Sequence, residues 1–196
     1  MIRIGIIGDI GSGKSYIAKQ FGFPIFNADF EVSKIYKKSR KCFKKLKKTF
    51  PYYIFSFPVK KQELYKAVLE KKINIKKINK IVHPEVRFSM KNFIKKNKKK
   101  KAVIFDIPLL LEGKLNNKKD VLVFVEARKK AVIKRLKKRS NYNIKLIKKL
   151  KELQLPLEIK RKNSNFIIKN NFKSLSVKKS VKILKNKILK NERSSA

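Results

Sequence analysis

Apolar positions in this chain follow two patterns, and the alternation between them outlines the fold. Near-continuous apolar runs occur at Arg3–Ile7, Ala102–Asp106 and Val121–Glu126, rich in Val and Ile and ended by Gly8, Asp106 and Glu126. Such runs predict strands covered on both faces, the condition of a parallel sheet. Pro24–Asn27 and Phe166–Ile168 are shorter runs of the same kind. Between them, apolar residues recur at helical spacing over Lys14–Phe21, at Leu64, Val68 and Leu69, and at Ile73, Ile75, Ile78, Ile81 and Val82. Further helices are expected at Ala127–Lys138, in two short pieces of Asn143–Lys162 parted near Pro156, and at Leu175–Leu189 before a frayed tail to Ala196. Pro84 follows His83 and predicts the start of a new helix there, since proline suits the first helical position. Pro51 and Pro58 bracket an aromatic loop (Tyr52, Tyr53, Phe55, Phe57) expected in the core of the helical stretch between about Phe30 and Lys96. The lysines at 95–101 read as a solvated helix end and turn. Strand and helix in alternation give an α/β fold with a parallel, doubly covered sheet of about five strands.

Charge alters this picture less than its size suggests. The 196 residues carry 55 Lys+Arg against 13 Asp+Glu, a net charge of +42. A polyanion partner is the first inference from such a value. The lysines, however, are spread over the whole chain, and Lys, Ile and Asn are abundant together, as an A/T-rich coding sequence would produce on solvated faces. No dedicated nucleic-acid partner is therefore expected. No apolar run reaches the ~18 residues of a membrane span, and Met1–Ile7 is too quickly broken to read as a signal peptide. One cysteine, Cys42, allows no internal disulfide and favours a reducing, cytoplasmic setting.

The rare residues are more telling. Three of six glycines stand at 8, 11 and 13, and three of eight arginines at 135, 139 and 161. Gly8-Asp9-Ile10-Gly11-Ser12-Gly13-Lys14-Ser15 fits the phosphate-loop pattern G-x-x-x-x-G-K-[ST], with an apolar strand before it and a helix after it. Glycines let successive backbone N–H groups turn inward to form a nest for phosphate oxygens. Lys14 can reach the β- and γ-phosphates, and the Ser15 hydroxyl can ligate Mg²⁺. Asp29 stands just past the second strand, and ligands of an open parallel sheet bind outside the carboxyl ends of its strands; it can accept a proton from an attacking hydroxyl or cap the next helix. Asp106, ending the third strand, can hold Mg²⁺ through water or serve as a turn acid. Arg135 and Arg139 offer a planar fork to a transferring phosphoryl group, or are helix-surface charge.

These residues resemble, in order, the motifs of the dephospho-coenzyme A kinase family. Its members have a glycine-rich loop like Gly5–Ser15, an acid-Ala-Asp matched by Asn27-Ala28-Asp29, and a His-Pro pair matched by His83-Pro84. A Pro-Leu-Leu-x-Glu loop follows, matched at Pro108, Leu109, Leu110 and Glu112. Then come two lid arginines and a glutamine, matched by Arg135, Arg139 and Gln154, and a final strand with an asparagine, Asn170. The resemblance spans Arg3 to about Leu189 and implies a P-loop kinase with a helical insertion and a small helical lid. The implied divisions are a nucleotide-binding core (1–29, 101–134 and 163–196), an acceptor-binding insertion (30–100) and a lid (135–162). It implies phosphoryl transfer from ATP, with Mg²⁺, to the ribose 3′-hydroxyl of dephospho-CoA by a cytoplasmic monomer. Lys14, Asp29 and Arg139 would be catalytic. Asp9, Ile10, Gly11, Ser12, Gly13, Lys14, Ser15, Arg135 and Asn170 would bind ATP. His83, Pro108, Leu109, Leu110 and Glu112 would bind the acceptor, His83 alternatively being a helix-end histidine. Ser15 and Asp106 would hold the metal. The chain departs from the family at Asn27, where the first acid is lost, at Lys61 in place of an arginine, and at Ser164-Asn165 in place of Ala-Asp. The alternatives are a nucleoside-monophosphate or other small-molecule kinase on the same scaffold, and a basic nucleic-acid-binding ATPase.

Overall fold

A computed structural model describes residues 1–71, 73–139 and 142–193. The three long apolar runs are strands: β1 (Ile2–Gly8), β3 (Ala102–Asp106) and β4 (Val121–Ala127). With β2 (Ile25–Asn27) and β5 (Phe166–Asn170) they form one sheet in the order β2-β3-β1-β4-β5, all neighbours parallel. Alternation along β1 sends Ile2, Ile4 and Ile6 to one face, where they join Ile17, Ala18 and Phe21 of α1 (Lys14–Gln20) and its end. Val177, Val181, Leu184 and Ile188 of α9 (Ser174–Arg193) complete this layer. Each fully buried aliphatic side chain contributes about 1.5–3 kcal/mol. α8 (Leu157–Lys162) also packs against β1, and α6 (Lys129–Lys137), with Val132 and Leu136 buried, follows β4. Of the frayed tail expected after Leu189, residues 190–193 instead continue α9, and 194–196 lie outside the described residues.

The chain divides into two compact units, one of residues 1–27, 97–142 and 153–196, the other of 28–96 and 143–152. The segment 135–162 is thus shared between them. The second unit holds α2 (Ala28–Lys38), α3 (Arg40–Thr49), α4 (Lys61–Glu70), α5 (Ile73–Lys96) and α7 (Ile144–Lys151). Ser39 caps α3, accepting from the Cys42 N–H at 3.0 Å and donating to Glu85 of α5 at 3.0 Å. Lys149 of α7 donates to the Val68 and Leu69 carbonyls at 3.0 and 2.6 Å, a cation at the carboxyl end of α4, where the helix dipole favours it. No helix among the described residues is long and apolar enough to cross a membrane.

Two expectations are corrected. Pro84 does not start a helix; it lies inside α5, which runs unbroken from Ile73 to Lys96. Buried Ile75, Ile78, Val82 and Val86 keep helical spacing across it, so packing of that face offsets the missing N–H. The aromatic loop is not uniformly core either. Phe50 and Ile54 are buried, Phe57 packs on Phe43 at 5.4 Å, but Tyr52 and Phe55 are 84% and 63% exposed. The turn at 51–53 points Ile54 inward, so the aliphatic residue takes the place assigned to its aromatic neighbours.

Candidate active site

Parallel strands end together, so their carboxyl ends gather residues distant in sequence. Gly8 pairs in register with Val125, Asn27 with Asp106, and Asn170 with Ala127. The phosphate loop leaves β1 at Gly8 and enters α1 at Lys14. Asp9 shapes it from within: its Oδ1 accepts from the Ile10 N–H at 2.7 Å and its carbonyl from the Ser12 N–H at 3.2 Å. Lys14 Nζ donates to the Gly8 and Asp9 carbonyls at 3.2 and 2.7 Å, which folds its ammonium back over the loop. Ser12 Oγ is buried with no hydrogen-bond partner, a polar atom left for a ligand inside the nest.

Asn170 locks the loop from the end of β5. It is buried, donates from Nδ2 to the Ser12 carbonyl at 2.7 Å, and accepts at Oδ1 from the Phe172 N–H at 2.9 Å. This clamp explains Gly13. Its φ is +93°, and a Cβ there would lie 2.3 Å from Asn170 Nδ2. A side chain would be strained in its backbone and would also displace the amide. Gly11 likewise allows a close approach by α6, since a Cβ would meet Leu136 Cγ at 2.9 Å. α6 thereby seats Arg135, whose guanidinium lies 5.1 Å from the centre of the Phe172 ring, a cation–π contact. Phe172 itself has a left-handed φ of 63°. Arg139 follows α6, exposed, its N–H bonded to the Leu136 carbonyl at 3.1 Å. Arg161 is different: it pairs with Glu126 at 3.2 Å on the surface, a contact worth at most about 1 kcal/mol.

At the neighbouring strand ends Asp106 is buried, and its Oδ2 accepts from Asn27 Nδ2 at 2.7 Å. Asn27, a departure from the family pattern, thus replaces a second carboxylate with an amide donor. Another departure, Asn165, extends the sheet: its N–H bonds to the Leu122 carbonyl at 2.9 Å and its Oδ1 accepts from the Leu122 N–H at 2.8 Å. Beyond Asp106, residues 107–112 form a compact turn, braced by bonds from the Gly113 N–H to the Leu109 carbonyl (2.9 Å) and the Leu115 N–H to the Leu110 carbonyl (3.0 Å). Pro108 and Leu109 are half-buried, Leu110 fully. Glu112 at its end pairs with Lys160 Nζ at 2.7 Å.

In the helical unit, Asp29 lies in the first turn of α2, exposed, where the helix dipole favours a carboxylate. It is the second residue of the helix and so not its cap. His83 sits in the interior of α5, half-buried, and is not a helix-end histidine. Burial, then the Arg87 cation one turn on, lowers its pKa below the ordinary 6.5 and favours neutral imidazole. Loop residues 9–15, Asn170 and Arg135 therefore come together within the first unit, with Asp106 beside Asn27, whereas Asp29 and His83 belong to the second. Lys160 and Phe172 escaped the sequence reading. A buried lysine cannot be picked out among 47 lysines, and Phe172 has only its place two residues after Asn170 as a signal.

Comparison with known proteins agrees with this geometry. The family profile for dephospho-CoA kinase (CoaE) matches residues 2–175. The dephospho-CoA kinase of Wolbachia sp. subsp. Brugia malayi is 34% identical over 170 residues, covering 84% of this chain and 87% of the relative. A solved Thermus thermophilus structure superposes with a TM-score of 0.76 at 26% identity, covering 93% of this chain and 95% of the other. The Campylobacter jejuni dephospho-CoA kinase shares the fold, with a TM-score of 0.63 at 22% identity over 97% of this chain and 98% of that one. A phosphate loop clamped at the strand ends, followed in order by the family's motifs along nearly the whole chain, places this chain in the dephospho-CoA kinase family.

Proposed function

We propose that the chain transfers the γ-phosphoryl group of ATP to the ribose 3′-hydroxyl of dephospho-CoA, giving coenzyme A and ADP. The observation that supports this best is the family match across residues 2–175 on a chain whose phosphate loop is intact. In the transfer, a bond forms between O3′ and phosphorus, and the bond from phosphorus to the β,γ-bridging oxygen breaks, its electron pair leaving with ADP. The hydroxyl proton passes to the Asp29 carboxylate as general base. The loop N–H groups, Lys14 and the Ser12 hydroxyl hold the phosphates, with Asn170 keeping the loop in shape. Arg139, with Arg135, closes a guanidinium fork on the charge spread over the transferring group.

Ser15 and Asp106 supply the hard oxygen donors that suit Mg²⁺, which takes few protein ligands beside substrate phosphates. The Asn27 amide engages Asp106 Oδ2 and leaves Oδ1 for that use. Held by Ser15 and Asp106, the ion would supply charge neutralisation to the phosphates. His83, kept neutral, and the Pro108–Glu112 loop would receive the acceptor. A cytoplasmic setting suits a chain whose one cysteine, Cys42, is free and buried.

A coupled assay tests the reading: ATP consumption should depend on dephospho-CoA, with a 3′-phosphorylated product in equal amount. Stimulation by AMP, CMP or nucleic acid in place of dephospho-CoA would overturn it.

A further inference from the structure

Lys160 lies outside every motif above, yet it is the only lysine among the described residues that is buried, 1% exposed. Lysine is almost never buried without a partner. Its partner is Glu112, the last residue of the Pro108–Glu112 loop, at 2.7 Å from Nζ to Oε1. The same oxygen accepts from the Leu155 N–H at 3.0 Å. Two donors from segment 153–160 therefore converge on one carboxylate oxygen, and Oε2 is engaged by neither. The other end of the turn is fixed by packing: Leu110 lies so close to Gly5 of β1 that a Cβ there would be 2.5 Å from Leu110 Cδ2. The turn is thus held at Leu110 by shape and at Glu112 by charge.

A buried pair of this kind contributes little net stability over an apolar pair of the same volume, but loss of one partner leaves an uncompensated charge. Its effect is to fix an orientation. We infer that Lys160 is a positioning residue for the acceptor: it holds the Glu112 carboxylate, and with it the Pro108–Glu112 turn, in the arrangement that receives dephospho-CoA. It also ties that turn to the segment following Gln154. The inference rests on the acceptor reading of the turn given above.

Wild-type turnover of dephospho-CoA is measured first, because its absence overturns the acceptor reading and this inference with it. Lys160→Met, which keeps the stem and removes the ammonium, should raise KM for dephospho-CoA about tenfold or more. KM for ATP should move less than about twofold, because the phosphate loop is held by Asn170 and not by Lys160. In a Glu112→Gln background the same substitution should add nothing, since its effect passes through that carboxylate. If Lys160→Met does not fold, Lys160→Ala, which removes the ammonium and leaves room for water beside Glu112, is read by the same criteria. An unmoved KM for dephospho-CoA, a parallel rise in both KM values, or an equal effect with and without Glu112→Gln would each overturn the inference while leaving the kinase reading intact.

Discussion

The phosphate-loop end of the sheet and the outer faces of the helical unit treat the same lysine-rich composition in opposite ways. α3 carries lysine at five of its ten positions and buries only Cys42 and Leu46. The loop from Gly8 to Ser15 admits one lysine, Lys14, and its ammonium is bonded to loop carbonyls. The contrast lies in what each region asks of a side chain. An amphipathic helix needs a narrow apolar stripe and leaves its remaining positions to solvent. A phosphate nest needs bare backbone and a clamp that reaches it, so any Cβ at Gly13 is excluded by Asn170. Charge accumulates where geometry is indifferent to it.

The comparison can be broken or sharpened by substitution. The largest effect should come from Asp29, an acid in the lysine-rich helical unit. Asp29→Asn should lower turnover about 10²–10⁴-fold, while ATP affinity holds and stability shifts by less than about 1 kcal/mol from the lost dipole interaction. Turnover, melting temperature and ATP titration on one sample check this; full activity would mean that the carboxylate serves only the helix. Gly13→Ala should lower kcat/KM at least about 10²-fold through displacement of the loop. It should also destabilise the fold by about 1–2 kcal/mol for the left-handed backbone alone. A variant that bound ATP normally would show that the Asn170 clamp yields easily.

Arg139→Lys keeps the charge and removes the bidentate fork, so turnover should fall about tenfold, with ATP binding nearly unchanged. Wild-type kinetics in this variant would place Arg139 with Arg161, as surface charge. The smallest effect is expected on α3. Lys41→Gln, Lys44→Gln and Lys48→Gln together should leave kcat/KM within about twofold and stability within about 0.5 kcal/mol per site. A large loss of activity there would give the lysine coat a function.

Much of the architecture was legible because buried parallel strands and a phosphate loop leave local marks. β1, β3 and β4 appear as apolar runs, and the Gly8–Ser15 spacing is a backbone requirement written directly in residue type. What escaped depends on partners far away in sequence. Pro84 reads as a helix start until Ile75, Ile78, Val82 and Val86 are seen to share one buried face across it. Tyr52 and Phe55 look like core until the adjoining turn points Ile54 inward instead. Asn165, seemingly a weakened motif, extends the ladder to Leu122 across 43 residues. Lys160 has no local mark at all, since only the position of Glu112 separates it from its solvated neighbours.

The Asn27 amide on Asp106 has a consequence for the charge gathered at the strand ends. An aspartate at position 27 would set two carboxylates within hydrogen-bond distance of each other, and like charges so close repel. The amide instead donates to Asp106 Oδ2 at 2.7 Å, an attraction in place of that repulsion. The position thus exchanges a second negative charge for a neutral hydrogen-bond donor.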